Sequence, residues 1–100
     1  MNIGDQVRQG DLLIERVKEL PADVKPLPHR ILAEGEATGH VHALDAGILY
    51  EKEGLLFFNV EKAKATLTHQ EHAAHEFPPG TYQVTRQREW VEGEVQQVAD

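Results

Sequence analysis

The sequence predicts an all-β protein, a compact small barrel or sandwich of about six to eight short antiparallel strands with at most a short helical turn. Three observations predict it. Runs of aliphatic, aromatic and β-branched residues recur along the chain, and turn residues such as Gly10-Asp11, Glu53-Gly54 and Glu92-Gly93 separate them. Only one stretch, residues 61–75, offers a competing helical pattern.

Leu12-Leu13-Ile14-Glu15-Arg16-Val17 follows Gly10-Asp11 and reads as a first strand. The segment from Leu20 to Pro28 carries Pro21, Pro26 and Pro28, so it is loop or extended edge chain, and the neighbouring His29 reads as a surface residue. Ile31 to Leu44 is one bent strand or two strands joined near Gly35 or Gly39, because glycine inside a strand pattern marks a bulge or corner. Ile48 to Glu51, the turn Lys52-Glu53-Gly54, and Leu55 to Val60 form a hairpin, with Leu55-Leu56-Phe57-Phe58 as a core strand.

After Asn59, the run Glu61-Lys62-Ala63-Lys64-Ala65 contains good helix formers, whereas Thr66-Leu67-Thr68 alternates as a strand does. The favoured reading is a turn or one helical turn at residues 60–64, then a strand to about His69. Pro78-Pro79-Gly80 is a turn, Thr81 to Val91 one strand, and Glu94 to Val98 a closing strand. In the run from Tyr82 to Trp90, Tyr82, Val84 and Trp90 share the parity expected of the core. Arg86 and Arg88 would lie along the sheet rim, or Gln87 or Arg88 would reach a substrate or partner.

With 100 residues the expectation is a single domain, residues 1–100, with a modest core. The absence of cysteine removes disulfides, the N-terminus lacks a signal-peptide pattern, and no apolar run could span a bilayer. A cytoplasmic protein without membrane partners follows as the expectation. A formal net charge of −7 argues against non-specific DNA binding through a basic face. It does not exclude chemistry on a phosphodiester if a bound cation reverses the local field.

The chemistry-bearing signal lies in the histidines. Five of the six fall in two windows, Gly39-His40-Val41-His42 and His69-Gln70-Glu71-His72 with His75. On a strand, His40 and His42 point to one face while Val41 and Ala43 take the other, which would be the core face. An extended chain would put His69 and Glu71 on one face, whereas a turn would bring His69 and His72 together. Either way a second cluster alongside the first completes a site of three or four imidazoles for a divalent transition metal, zinc foremost. The candidate ligands are His40, His42, His69 and His72. Glu71 is the candidate general base or partner of a ligating imidazole, and Arg88 a further catalytic candidate. His75 ranks below these four.

Serine and cysteine are both absent, which excludes covalent catalysis by either, and no phosphate-binding glycine motif is present. Three functional readings remain. The first is a metal-binding β-domain, with hydrolysis of a phosphodiester in RNA or a small molecule as its reaction class. The second is a non-catalytic interaction or assembly module that forms homo-oligomers through strand edges. The third is metal-free acid–base cleavage of RNA by paired histidines, with Arg86, Arg88 or Lys64 steadying a phosphate.

Gln9-Gly10-Asp11, Gly35-Glu36-Ala37-Thr38-Gly39-His40-Val41-His42, His69-Gln70-Glu71-His72, Pro79-Gly80-Thr81-Tyr82 and Gln87-Arg88-Glu89-Trp90 together resemble a small bacterial and phage-type protein family without an assigned activity. The resemblance implies that the two histidine clusters and the Gln-Arg-Glu-aromatic element belong together. The His-X-His strand is also similar to the cupin metal motif. It departs from that motif in having Asp45 three residues after His42 where cupins carry a glutamate, and in lacking the second cupin element. His69-Gln70-Glu71-His72 is one residue short of the zincin helix motif. Both are analogies of chemistry.

Overall fold

The computed structural model describes residues 1–34, 39–86, 88–91 and 94–97, the last two stretches by their backbone. Twelve strands and no helix make up the described residues, so the chain is all-β. The strands are β1 (Gln6–Gln9), β2 (Leu12–Val17), β3 (Lys25–Pro26), β4 (Ile31–Glu34), β5 (Val41–Leu44) and β6 (Ile48–Lys52). They continue with β7 (Leu55–Val60), β8 (Ala65–Thr68), β9 (His75–Phe77), β10 (Gly80–Arg86), β11 (Arg88–Val91) and β12 (Glu94–Gln97). The count exceeds the expected six to eight because β1, β3 and β9 are too short, or too polar, to show an alternating apolar pattern, and because the run from Thr81 to Val91 divides into β10 and β11.

Six strands form one antiparallel sheet in the order β1-β2-β10-β7-β6-β3, and four form a second in the order β4-β5-β8-β9. The buried cluster draws Leu12, Ile14, Leu49, Phe58, Val60, Tyr82 and Val84 from the first sheet and Leu32, Leu44, Ala65, Leu67 and Phe77 from the second. The two sheets therefore pack face to face as a sandwich and do not close into a barrel. At its centre the Phe58 ring stacks on Tyr82 at 4.8 Å between centroids, and Phe77 meets Tyr82 edge-on at 5.1 Å. The Tyr82 hydroxyl donates to the Pro78 carbonyl at 2.6 Å, so this buried aromatic leaves no polar atom unmet.

Two tight turns set the register of the larger sheet. Lys52 pairs with Leu55 across Glu53 and Gly54, both at positive φ (50° and 81°), the geometry of a type I′ hairpin turn. Gln9 pairs with Leu12 across Gly10 and Asp11, with Gly10 at φ 59°, as the first central position of a type II′ turn requires. This second turn matters for the site, because it fixes Gln9 and Asp11 on either side of one glycine.

Several expectations need correction. The helical alternative at residues 60–64 does not form: residues 62 and 63 are bends, as the turn reading has it, and the strand resumes at Ala65. Thr81 to Val91 is two strands: β10 pairs with β2 and β7, while among the described residues β11 pairs with β12. Ile31 to Leu44 is two strands, the second of the two readings the sequence allows, and residues 35–38 lie outside the described residues. Leu55 opens its strand at 47% exposure, since it follows the turn, and the core begins with Phe57. Among the described residues no helix is long and apolar enough to cross a membrane.

Candidate functional site

The two histidine windows meet because β5 pairs with β8. Ala43 opposes Thr68 and Leu44 opposes Leu67, so one step further along that register sets His42 against His69. Their ring centroids lie 4.3 Å apart. The chain leaves β8 at His69 and turns back through residues 70–74, which brings His72 to 4.7 Å from His69 and 6.4 Å from His42. His40, just before β5, completes the group at 5.4 Å from His69. All four candidate imidazoles are thus neighbours, through the turn arrangement and not the extended one.

The face they occupy differs from expectation. His42 is fully buried with Leu44 on the inner side of β5, while Val41 and Ala43 are half-buried on the outer side. Leucine decides the parity: Leu44 has more apolar surface to bury than Val41 or Ala43, and His42 goes inward with it. A buried imidazole needs partners, and the sandwich supplies them from β1.

Gln9 is that partner. Its Nε2 donates to the carbonyls of Leu67 (3.1 Å) and Ala73 (2.9 Å), which uses both of its hydrogens and ties the end of β8 to the histidine turn. The remaining atom, Oε1, lies 2.8 Å from Nδ1 of His42. An amide oxygen can only accept, so Nδ1 carries the hydrogen and, in the neutral ring, Nε2 carries the lone pair. At His69 the proton sits the other way round. The Glu71 amide donates to His69 Nδ1 at 3.0 Å, so Nε2 of the neutral ring bears the hydrogen. Gln70 adds a second tie, its Oε1 accepting from the Val41 amide at 2.9 Å.

Beyond His42 lies an ion pair between a buried carboxylate and a half-buried guanidinium. Asp11 is 1% exposed, and its Oδ2 accepts from Nε of Arg86 at 2.6 Å. Its other oxygen, Oδ1, faces Nε2 of His42 at 3.7 Å. The register explains the pairing: Arg86 opposes Leu12 on β2, one residue past Asp11 in the turn. On the open side, Glu71 is 58% exposed with Oε1 3.7 Å from Nδ1 of His40, which is 24% exposed. Nε2 of His72 is buried and has no hydrogen-bond partner among the described residues.

Two imidazoles bound to one tetrahedral metal at about 2.1 Å hold their ring centroids roughly 5 Å apart. The observed separations of 4.3, 4.7, 5.4 and 6.4 Å bracket that value. Ring orientation is a different matter: His42 and His72 lie within 9° of parallel, and His69 is tilted by 32° and 36° to them. Among the described residues no three histidine or carboxylate side chains converge as ligands of an ion. The rings have the spacing of a metal cluster and the orientation of a stack.

Of the other sequence candidates, His29 is exposed and accepts from the Ile31 amide. His75 begins β9 opposite Leu67. Arg88 opens β11, and its side chain, like Gln87, lies outside the described residues. Sequence reasoning missed the buried roles of Gln9, Asp11 and Arg86. Gln9-Gly10-Asp11 looked like a turn and Arg86 like a rim cation. The one available signal was the matching parity of Arg86 with Tyr82 and Val84.

Residues 8–87 match a family model whose description is Domain of unknown function (DUF8820). No curated protein and no solved structure matches the chain.

Proposed function

We propose that this chain, which belongs to the DUF8820 family, is a metal-binding β-domain whose ion is held by the histidine cluster of His40, His42, His69 and His72. The family description names no activity, so the reading rests on the site. The observation that carries it is the packing of four imidazoles, with His40, His42 and His72 all within 5.4 Å of His69 and His42 oriented by Gln9. A structural scaffold gains little from burying such a group, whereas an imidazole whose Nδ1–H is held by an oxygen is the usual form of a metal ligand. Loading requires the stacked rings to turn about their own side-chain bonds, with His69 exchanging its hydrogen bond from Glu71.

Zinc is the first candidate for an imidazole-rich site. Exposure of Glu71 and part of His40 leaves a side open to water and substrate. An open coordination position there would generate hydroxide near neutral pH, with Glu71 as base or as the group orienting His40. Phosphodiester hydrolysis, on RNA or a small molecule, is the reaction class that fits a cation set in an acidic protein.

A second reading has its own support. The rings of His42 and His69 lie 4.3 Å apart, and acid–base cleavage without any metal needs such a pair, one imidazole neutral and its neighbour protonated. Elemental analysis of protein purified without a nickel column separates the two. The metal reading expects about one zinc or similar ion per chain, lost in a folded His72→Ala variant. No metal, and no uptake on adding one, overturns it, and cleavage of RNA in the presence of a chelator then supports the acid–base reading.

A further inference from the structure

Leu44, the last residue of β5, donates to the Arg30 carbonyl at 2.9 Å, which places Arg30 at the end of that strand away from the histidines. Two clefts lie side by side there and share Arg30, Gly47 and Ile48. One, of about 290 Å³, continues over Leu27, His29 and Leu49; the other, of about 330 Å³, over Ala46, Val60 and Lys62. We infer that the two clefts form a docking groove for an acidic peptide segment of another protein, with one aliphatic side chain seated against Ile48. The groove is independent of the metal-binding reading.

The groove begins where a strand gives out. β3 ends at Pro26, and the Leu27 amide carries the edge one bond further, donating to the Leu49 carbonyl at 2.7 Å. Pro28 has no N–H with which to continue. The Arg30 side chain takes over, its Nε donating to the Gly47 carbonyl at 2.8 Å. Ile48 stays 42% exposed beside the buried Leu49. Gly47 has φ 93°, and a Cβ there would stand 2.8 Å from the Asn59 carbonyl oxygen, so only glycine allows this close approach to β7.

Charge selects the occupant. The chain carries 17 acidic residues against 10 lysines and arginines, yet in the groove Arg30 and Lys62 face a single carboxylate, that of Glu61. Among the described residues neither cation is paired with a carboxylate. With Nε committed to Gly47, the two terminal nitrogens of Arg30 remain as a fork for an incoming carboxylate. His29 accepts from the Ile31 amide at Nδ1, so its neutral ring adds an Nε2–H donor to the first cleft. Cations and donors around an exposed aliphatic residue complement a chain in which carboxylates flank an aliphatic side chain. A second copy of this protein fits less well, since each copy carries −7.

The test is fluorescence anisotropy of the full chain with a short labelled peptide in which one leucine is set among glutamates. Two control peptides replace the glutamates by lysines or the leucine by serine. The expected result is saturable binding of the glutamate–leucine peptide alone, weakened at least about threefold by Lys62→Glu and by Ile48→Ser. Lys62 is exposed and Ile48 partly so, and neither substitution reaches the core. Absence of binding, equal binding of the lysine peptide, or unchanged affinity in both variants overturns the proposal. Sedimentation of the chain alone covers the other occupant. A monomer at every concentration is expected, and a dimer that Ile48→Ser abolishes would assign the groove to a second copy and overturn the proposal as well.

Discussion

Tyr82 and Arg86 lie on one strand and the same face, four residues or about 13 Å apart, and each is held in the sandwich by different forces. Around Tyr82 the rings of Phe58 and Phe77 close a dry aromatic cluster. Around Arg86 the partners are Asp11, then His42, Gln9 and the histidine turn. The aromatic cluster repays its burial through apolar area alone. The polar cluster is buried at Gln9, Asp11 and His42 and half-buried at Arg86, and it depends on every donor meeting an acceptor, whereas a fold seeking only stability would fill that space with leucine. The contrast teaches where stability and chemistry have been separated along a single strand.

Substitutions can break this comparison at either end. Phe58→Ala should be the most damaging, with a loss of roughly 3–5 kcal/mol in urea unfolding, as expected for a large ring removed from a packed core. A smaller loss would mean that Phe77 and Tyr82 collapse into the gap. Gln9→Leu should cost less, on the order of 1–3 kcal/mol, since it leaves two carbonyls and the His42 Nδ1–H unmet. Its metal affinity should fall by roughly 10–100-fold, measured by competition with a chromophoric chelator. If Gln9→Leu changed stability but not affinity, the polar cluster would be scaffold and not site.

The smallest effect concerns alkaline pH and belongs to the aromatic end. Burial raises the Tyr82 phenol above its ordinary value of 10.0, and the nearby Arg16 charge offsets only part of that. Because the folded protein favours the neutral phenol, the stability it contributes is intact below 10.0 and is lost as pH rises through the higher folded value. Ultraviolet titration of a Tyr50→Phe variant should show Tyr82 ionising above 10.0, with the melting midpoint falling over the same interval. Ionisation of Tyr82 at or below 10.0 would refute this.

Much of the fold was legible because hairpins are local. Ile48 to Val60 announces itself by alternation around Glu53-Gly54, and its turn chemistry is that of the structure. The alternation of His40 with His42 was legible too, but not which face would be buried. Polarity argued for Val41 and Ala43 inside, and Leu44 outweighed them. The approach of His72 to His42 required the pairing of β5 with β8, which no residue between 45 and 64 announces. Asp11 was the least legible of all. Its meaning depends on Arg86, 75 residues away, and on a register that only the assembled sheet defines.

That distance has a kinetic side. Gln9 reaches across 58 and 64 residues to Leu67 and Ala73, and Asp11 across 75 to Arg86. The hairpins can close early, but these links cannot form until β10 has joined β2 and the second sheet has docked. The polar cluster is therefore assembled by the last and longest loop closures of the chain. It acts as a latch: any ion or ligand that requires it would select molecules in which both sheets are already in place.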